Sequence, residues 1–171
     1  MLELIDRCKN ADLVAILCNP PMRDPSLTRS WANLAILRDA LNARTVTICN
    51  LIEVQSRSSE ELGHLTGTVD TEDLSRRIKA AADGSSVAVA AWGTNAPSGW
   101  RVRHWADVVN STLTGLSNAG HSHVAHVGPG TRHPSRWTQY TSPVHKRFDG
   151  PTFPDRLIQS LRWSPVTALA R

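Results

Sequence analysis

Four short apolar runs, each cut off by a polar residue, a proline or a glycine, constrain this chain more than any other feature. They are residues 12–18 (Asp-Leu-Val-Ala-Ile-Leu-Cys), 45–50 (Thr-Val-Thr-Ile-Cys-Asn), 86–92 (Ser-Val-Ala-Val-Ala-Ala-Trp) and 122–127 (Ser-His-Val-Ala-His-Val). A strand that is apolar at nearly every position must be covered on both faces, and that is the environment of parallel sheets. Longer stretches with helical spacing alternate with these runs. Residues 28–43 present Trp31, Leu34, Ala35, Ile36, Leu37 and Leu41 as a broad apolar face. Residues 70–83 begin with a capping Thr71 and the acids Glu72 and Asp73, and Gly84-Ser85 closes them. Residues 100–118 form a third helix stopped by Ala119-Gly120, and residues 154–161 a terminal one. The alternation predicts an α/β fold: a three-layer α/β/α sandwich around a central four-stranded parallel sheet.

The chain has 171 residues, which predicts one domain, residues 1–171, with a single sizeable core. Its longest nearly uninterrupted apolar run, 87–92, is far short of the roughly 20 residues a membrane span needs. Acids stand among the first six residues, where a secretory leader would carry bases. Three cysteines, Cys8, Cys18 and Cys49, form no close pair. They suit a reducing cytoplasm, with Cys18 and Cys49 as small buried hydrophobes, and too few thiolates are present for an iron–sulfur cluster. No Walker loop, Gly-x-Gly-x-x-Gly or Gly-x-Ser-x-Gly pattern occurs. His121, His123 and His126 cluster in sequence, but on a strand the last points away from the first two and no carboxylate accompanies them. Neither a metal nor a cofactor is expected.

Charge is divided unevenly. Residues 1–99 carry 10 basic and 12 acidic residues, and residues 100–171 carry 9 basic and 3 acidic. The basic region, from about residue 128 onward, suits a polyanionic partner, nucleic acid first among them, although a solvated basic surface would look the same. Arg132, Arg136, Trp137, Tyr140, Lys146 and Arg147 interleave cations with flat side chains within it. Such a loop can neutralise phosphates and fill the hole left by an extruded base.

Ligands of parallel α/β sheets bind at the carboxyl ends of the strands. Here those ends read Asn19-Pro20, Asn50-Leu51, Trp92-Gly93 and, past the fourth strand, Arg132-His133-Pro134-Ser135, with Asp24-Pro25-Ser26-Leu27-Thr28-Arg29 in the first loop. In this order, over roughly residues 12–140, the segments resemble the uracil-DNA glycosylase superfamily, most closely a branch with Asn-Pro, Asp-Pro-Ser/Thr, Asn-Leu, Trp-Gly and Arg-His-Pro motifs. The resemblance implies a four-stranded parallel sheet and a pocket for an extruded pyrimidine whose bond to deoxyribose is broken. It implies that Asn19 positions water, that Asn50 reads the base edge, that His133 stabilises the departing base anion and that Ser135 touches phosphate. Pro20 and Trp92 fall beside the base, and Arg29 joins the DNA-facing cations. The chain departs from the family at Pro21, where a small residue is usual, and at Arg136-Trp137, where the family carries a Pro-Leu wedge.

Each residue also has a plainer reading. His133 can cap a proline-containing turn, Asn19 and Asn50 can close Asx turns, and Trp92 can be apolar bulk at a strand end. Asp24 either holds the water that Asn19 cannot deprotonate or pairs with Arg29. The resulting expectation is a monofunctional, monomeric DNA glycosylase without an obligatory protein partner. It would insert Trp137 or a neighbour and excise a modified or damaged pyrimidine, in repair or in defence against phages with altered DNA. The alternatives are a non-catalytic nucleic-acid binder and an enzyme acting on free modified nucleosides or nucleotides.

Overall fold

The structure, a computed structural model, describes residues 2–56, 58–65 and 69–170; the sequence predicts a loop rich in Ser, Glu and Arg over 51–67, and part of it lies outside the described residues. The fold is α/β. Strands β1 (Asp12–Leu17), β2 (Thr45–Asn50), β3 (Val87–Ala90) and β4 (His123–Val127) pair in parallel in the order β2-β1-β3-β4. Each falls within its predicted apolar run.

The sheet has five strands and is mixed, which corrects the expectation of four parallel ones. β5 (Leu161–Pro165) adds antiparallel to β4, from Val127 opposite Leu161 to His123 opposite Pro165. Its sequence, Leu-Arg-Trp-Ser-Pro, is short, half polar and ends in proline. That suits an edge strand and carries little apolar signal. It also follows the last helix without a turn residue to announce it.

Successive residues of the strands face opposite layers. Val14 and Ile16 of β1, with Ala88 and Ala90 of β3, pack on α4 (Thr71–Ala82) through Leu74 and Ile78. α5 (Val102–Asn118) joins the same face through Trp105, Val108, Val109 and Leu116. Leu13, Ala15 and Leu17 face the other layer, made by α1 (Leu2–Cys8), α2 (Arg29–Ala40) and α7 (Phe153–Ser160). The two helices of the first layer meet at Gly115, where a methyl group would stand 2.6 Å from the Ser75 carbonyl oxygen.

Local chemistry sets the helix ends. Asp70 caps α4 by accepting from Glu72 and Asp73 N–H, a contribution of about 1 kcal/mol, so the cap falls one residue before the predicted Thr71. Thr152 and Asp155 form a reciprocal capping box on α7. Two further helices, α3 (Ser59–Leu65) and α6 (Trp137–Tyr140), lie inside 51–67 and 131–140, which the sequence predicts as loops; neither is long enough to show a periodic apolar face. Cys8, not Cys18 or Cys49, is the fully buried cysteine. Among the described residues no helix is long and apolar enough to cross a membrane.

The topology makes a crevice. The loop after β1 leads to α2 on one face, and the loop after its neighbour β3 leads to α5 on the other. Loops that part at a reversal of strand order leave space between them at the carboxyl edge.

Candidate functional site

That edge carries two adjoining clefts. The first encloses about 420 Å³ and is lined by residues from three strand ends: Asn19, Pro20 and Thr28 after β1, Asn50 and Ser56 at and after β2, and His133 after β4. Trp31, from the first turn of α2, walls it. The second, about 600 Å³, shares Asn19, Ser56 and His133 and adds Trp92, Gly93, Thr94, Arg132, Ser135 and Arg136. Both volumes suit small-molecule sites.

Pairing register brings the first members together. Asn50 lies opposite Leu17, two residues before Asn19. The Asn50 side-chain oxygen is buried and has no hydrogen-bond partner among the described residues. Arg77 of α4 holds the backbone beneath it, donating to the Asn50 and Leu51 carbonyls at 3.2 and 3.3 Å, and pairs with Asp73 and Glu53. The Asn19 side-chain amide donates to the Pro20 carbonyl and to Ser56 Oγ, both at 3.1 Å, which leaves its oxygen as the remaining acceptor.

His133 is held by Ser135. Ser135 N–H donates to its Nδ1 at 3.4 Å, and Ser135 Oγ lies 3.0 Å from the same atom. A ring nitrogen that accepts a main-chain N–H carries no proton, so in the neutral ring the proton sits on Nε2. Burial first, then the neighbouring Arg136 charge, lowers the imidazole to about 4, so it is neutral at pH 7. The following turn is anchored by buried Asn33 of α2, which donates to the Pro134 carbonyl at 2.7 Å. The loops after β3 and β4 are tied together, Gly93 N–H to the Thr131 carbonyl at 2.5 Å and Thr131 Oγ1 to the Gly93 carbonyl at 2.6 Å.

Other sequence expectations are corrected. Trp137 is 0% exposed, packed in the core with α2 and α7, and its indole N–H donates to the Arg132 carbonyl at 2.7 Å. It cannot enter a base stack without leaving that core. Asp24 does not line either cleft and does not pair with Arg29; it is exposed and caps the 3-10 turn Pro25–Leu27, accepting from Ser26 N–H and Oγ at 2.9 and 2.8 Å. Those bonds hold its carboxyl below the usual range. Trp92 is almost wholly buried among core residues; it lines the second cleft and not the first. Tyr140 lies between two guanidinium groups, 4.1 Å from that of Arg132 and 5.1 Å from that of Arg147, and closes over Gly128, where a methyl group would overlap its ring. It is engaged with the protein rather than offered to a base.

Arg29, Arg136, Lys146 and Arg147 are exposed, and Arg136 lines the second cleft. The histidine cluster serves packing: His123 stacks on Trp163, His126 contacts the Gly128 carbonyl and Ser164, and His121 contacts Ser85.

Sequence reasoning missed Trp31, Asn33, Ser56 and Arg77. Trp31 read as one member of a helix's apolar face, and the other three act through contacts 26 to 101 residues away, for which a single sequence carries no signal. Comparison with protein-family profiles, with curated proteins and with solved structures returns no match.

Proposed function

We propose that this protein is a DNA glycosylase that takes an extruded pyrimidine, modified or damaged, into the first cleft and hydrolyses its N-glycosidic bond. One observation carries the reading: the His133 imidazole, whose Nδ1 accepts from Ser135 N–H, and an unpartnered Asn50 amide oxygen line the same cleft. Breaking the bond leaves a cation-like sugar and an anionic base. A neutral imidazole N–H donates to the base oxygen as charge develops there, and it need not give up its proton to do so. The Asn50 oxygen accepts from a ring N–H or an exocyclic amine, which satisfies a buried acceptor that the fold leaves open. Asn19 offers its oxygen to a water that adds to the sugar. With Asp24 outside both linings, no carboxylate among the described residues lines either cleft. The reading therefore rests on stabilising the leaving base rather than on a strong general base.

The second cleft suits what is attached to that base. Arg132, Arg136 and Ser135 offer cations and a hydroxyl for sugar and phosphate beside Asn19 and His133, which both clefts share. Nucleic acid in a reducing cytoplasm is the matching setting. A free nucleotide would engage the same groups, and salt separates the two: DNA affinity falls steeply with ionic strength through the exposed basic residues, whereas a mononucleotide's falls little.

The test is base release from DNA carrying uracil, hydroxymethylated or glucosylated pyrimidines, read as alkali-labile abasic sites. Abasic product from at least one of them, lost in His133→Ala, supports the reading. No product from any of them overturns it.

A further inference from the structure

With Trp137 in the core, a flipped base would leave a hole that this side chain cannot fill, and the surface offers a different one. The large apolar residues exposed among the described residues are Met22, Leu27, Val54, Val102 and Val144. Met22 and Leu27 belong to the loop after β1, and Val54 to the loop after β2. Those two loops also supply Pro21, Pro25, Thr28 and Ser56 to the first cleft, so Met22, Leu27 and Val54 each lie within two residues of its lining and give those loops an apolar rim. Scattered exposed apolar side chains need no explanation, but three on the loops of one cleft point to a contact surface.

Leu27 stands out within that rim. It is 71% exposed and lies between Pro25 and Thr28, both cleft-lining. Its backbone is fixed from both sides. Asp24 caps the 3-10 turn, the Thr28 N–H and Oγ1 return to the Pro25 carbonyl at 3.0 and 2.7 Å, and Thr28 Oγ1 then accepts from Trp31 N–H to start α2. The loop is therefore braced although its tip is apolar and open to water. Exposed Arg23 and Arg29 flank it. A braced apolar tip between two cations, beside a base-sized cleft, matches a side chain that enters a base stack while its neighbours hold the phosphates.

We infer that Leu27 is the wedge that occupies the duplex position vacated by the extruded nucleotide. The inference rests on the DNA-glycosylase reading and adds to it the source of the wedge, the loop after β1 rather than the loop that follows His133. Asp24 is then a positioning residue that fixes the wedge, not a group that handles water.

The experiment uses the whole chain and one target sequence as duplex and as single strand, with 2-aminopurine immediately 3′ to the target base. A single strand has no partner-lined hole to fill. Leu27→Ala is expected to lower base release from the duplex by about tenfold or more while leaving the single strand within about twofold of wild type. Leu27→Met, which keeps the apolar tip, is expected to retain the duplex rate, and Val144→Ala, on a still more exposed residue of another loop, to change neither. Binding of wild type is expected to raise 2-aminopurine fluorescence as its stacking neighbour departs, and L27A to bind duplex without that rise. An L27A that matches wild type on duplex in both readouts, or that loses both substrates equally, overturns the wedge. So does a wild type that acts on single strands alone. If no base is released from either form but the fluorescence rise occurs and depends on Leu27, the glycosylase reading falls and the wedge stands.

Discussion

The two ends of the parallel strands treat polar groups in opposite ways. At the amino end they are closed among themselves. Asp12 accepts from two nitrogens of Arg44 and from Thr45 Oγ1, and His121 meets Ser85, which also donates to the Ala82 carbonyl. At the carboxyl end the Asn50 oxygen and the Arg132 Nε are buried with no partner among the described residues, each on a cleft. A buried acceptor left open costs about 1–3 kcal/mol. Unpaired nitrogens of His104, Trp105 and Trp163 show that one such group is not a site. What separates the carboxyl end is that loops from different strands bring Asn19, Asn50 and His133 to the same space. One end of the sheet is closed by folding, and the other is left with open polar groups that face a cleft.

The most direct way to break this contrast is His133→Ala. If its N–H stabilises a departing base, base release falls about 10²–10³-fold, the usual effect of deleting one such donor. Single-turnover rates measure this. The pH dependence sharpens it. Because the folded imidazole sits near 4, below its ordinary 6.5, the unfolded chain takes up a proton first as pH falls. The stability that neutral His133 contributes is whole above pH 6.5, declines below it and is gone once pH drops through about 4. Urea midpoints measured across that window are expected to lose this slope in the alanine variant, and base release is expected to show no break at pH 6.5 from this group.

Asn50→Ala probes the open acceptor. Its open oxygen is a cost to the fold, so thermal stability is expected to hold or rise while kcat/KM falls about 10- to 100-fold, the worth of a lost base-edge pair. A large loss of stability with no loss of kcat/KM would make Asn50 a structural residue and erase the contrast. Asn33→Ala reverses the balance. It removes the donor to the buried Pro134 carbonyl, so stability drops by about 1–3 kcal/mol in denaturant titration, and base release weakens because the turn after His133 loosens.

Reading the sequence alone located the open end more fully than it described it. β1 and β3 were legible because burial on both faces demands nearly unbroken apolar runs, and β2 and β4 because β-branched residues recur between helical stretches; the polar residues that stop them marked their ends. Asn19 and Asn50 meet because they end neighbouring strands, whereas His133 follows β4, one strand further on, and its loop reaches the same cleft with the turn after it anchored by Asn33. β5 was not legible, since an edge strand with Arg162 and Ser164 shows no comparable run. Trp137 was misread because Arg136-Trp137 in a basic loop looks like a surface pair. Only the packing of α2 and α7 around it decides that the arginine is out and the tryptophan in. Asp24 failed for a different reason. A carboxylate two residues before a serine can cap a turn as well as face a substrate, and the choice depends on which way a short loop winds.

The smallest effect belongs to the closed end. Asp12 is exposed enough that water and salt screen its bonds to Arg44, so Asp12→Asn is expected to cost little stability at neutral pH and less as salt is added. Its sign with pH is fixed. The bonds from Arg44 and Thr45 lower the carboxyl to about 2, so its contribution is present above the ordinary 3.8 and is lost as pH falls from there through about 2. Wild type and variant are therefore expected to differ slightly at pH 7 in low salt and to converge by pH 2. Base release is expected to be indifferent to the change at any salt, because Asp12 sits at the opposite end of β1 from the clefts. A variant that kept its stability yet lost activity would mean that the amino end communicates with the site. The two ends of the sheet would then be one functional unit rather than a scaffold and a binding edge.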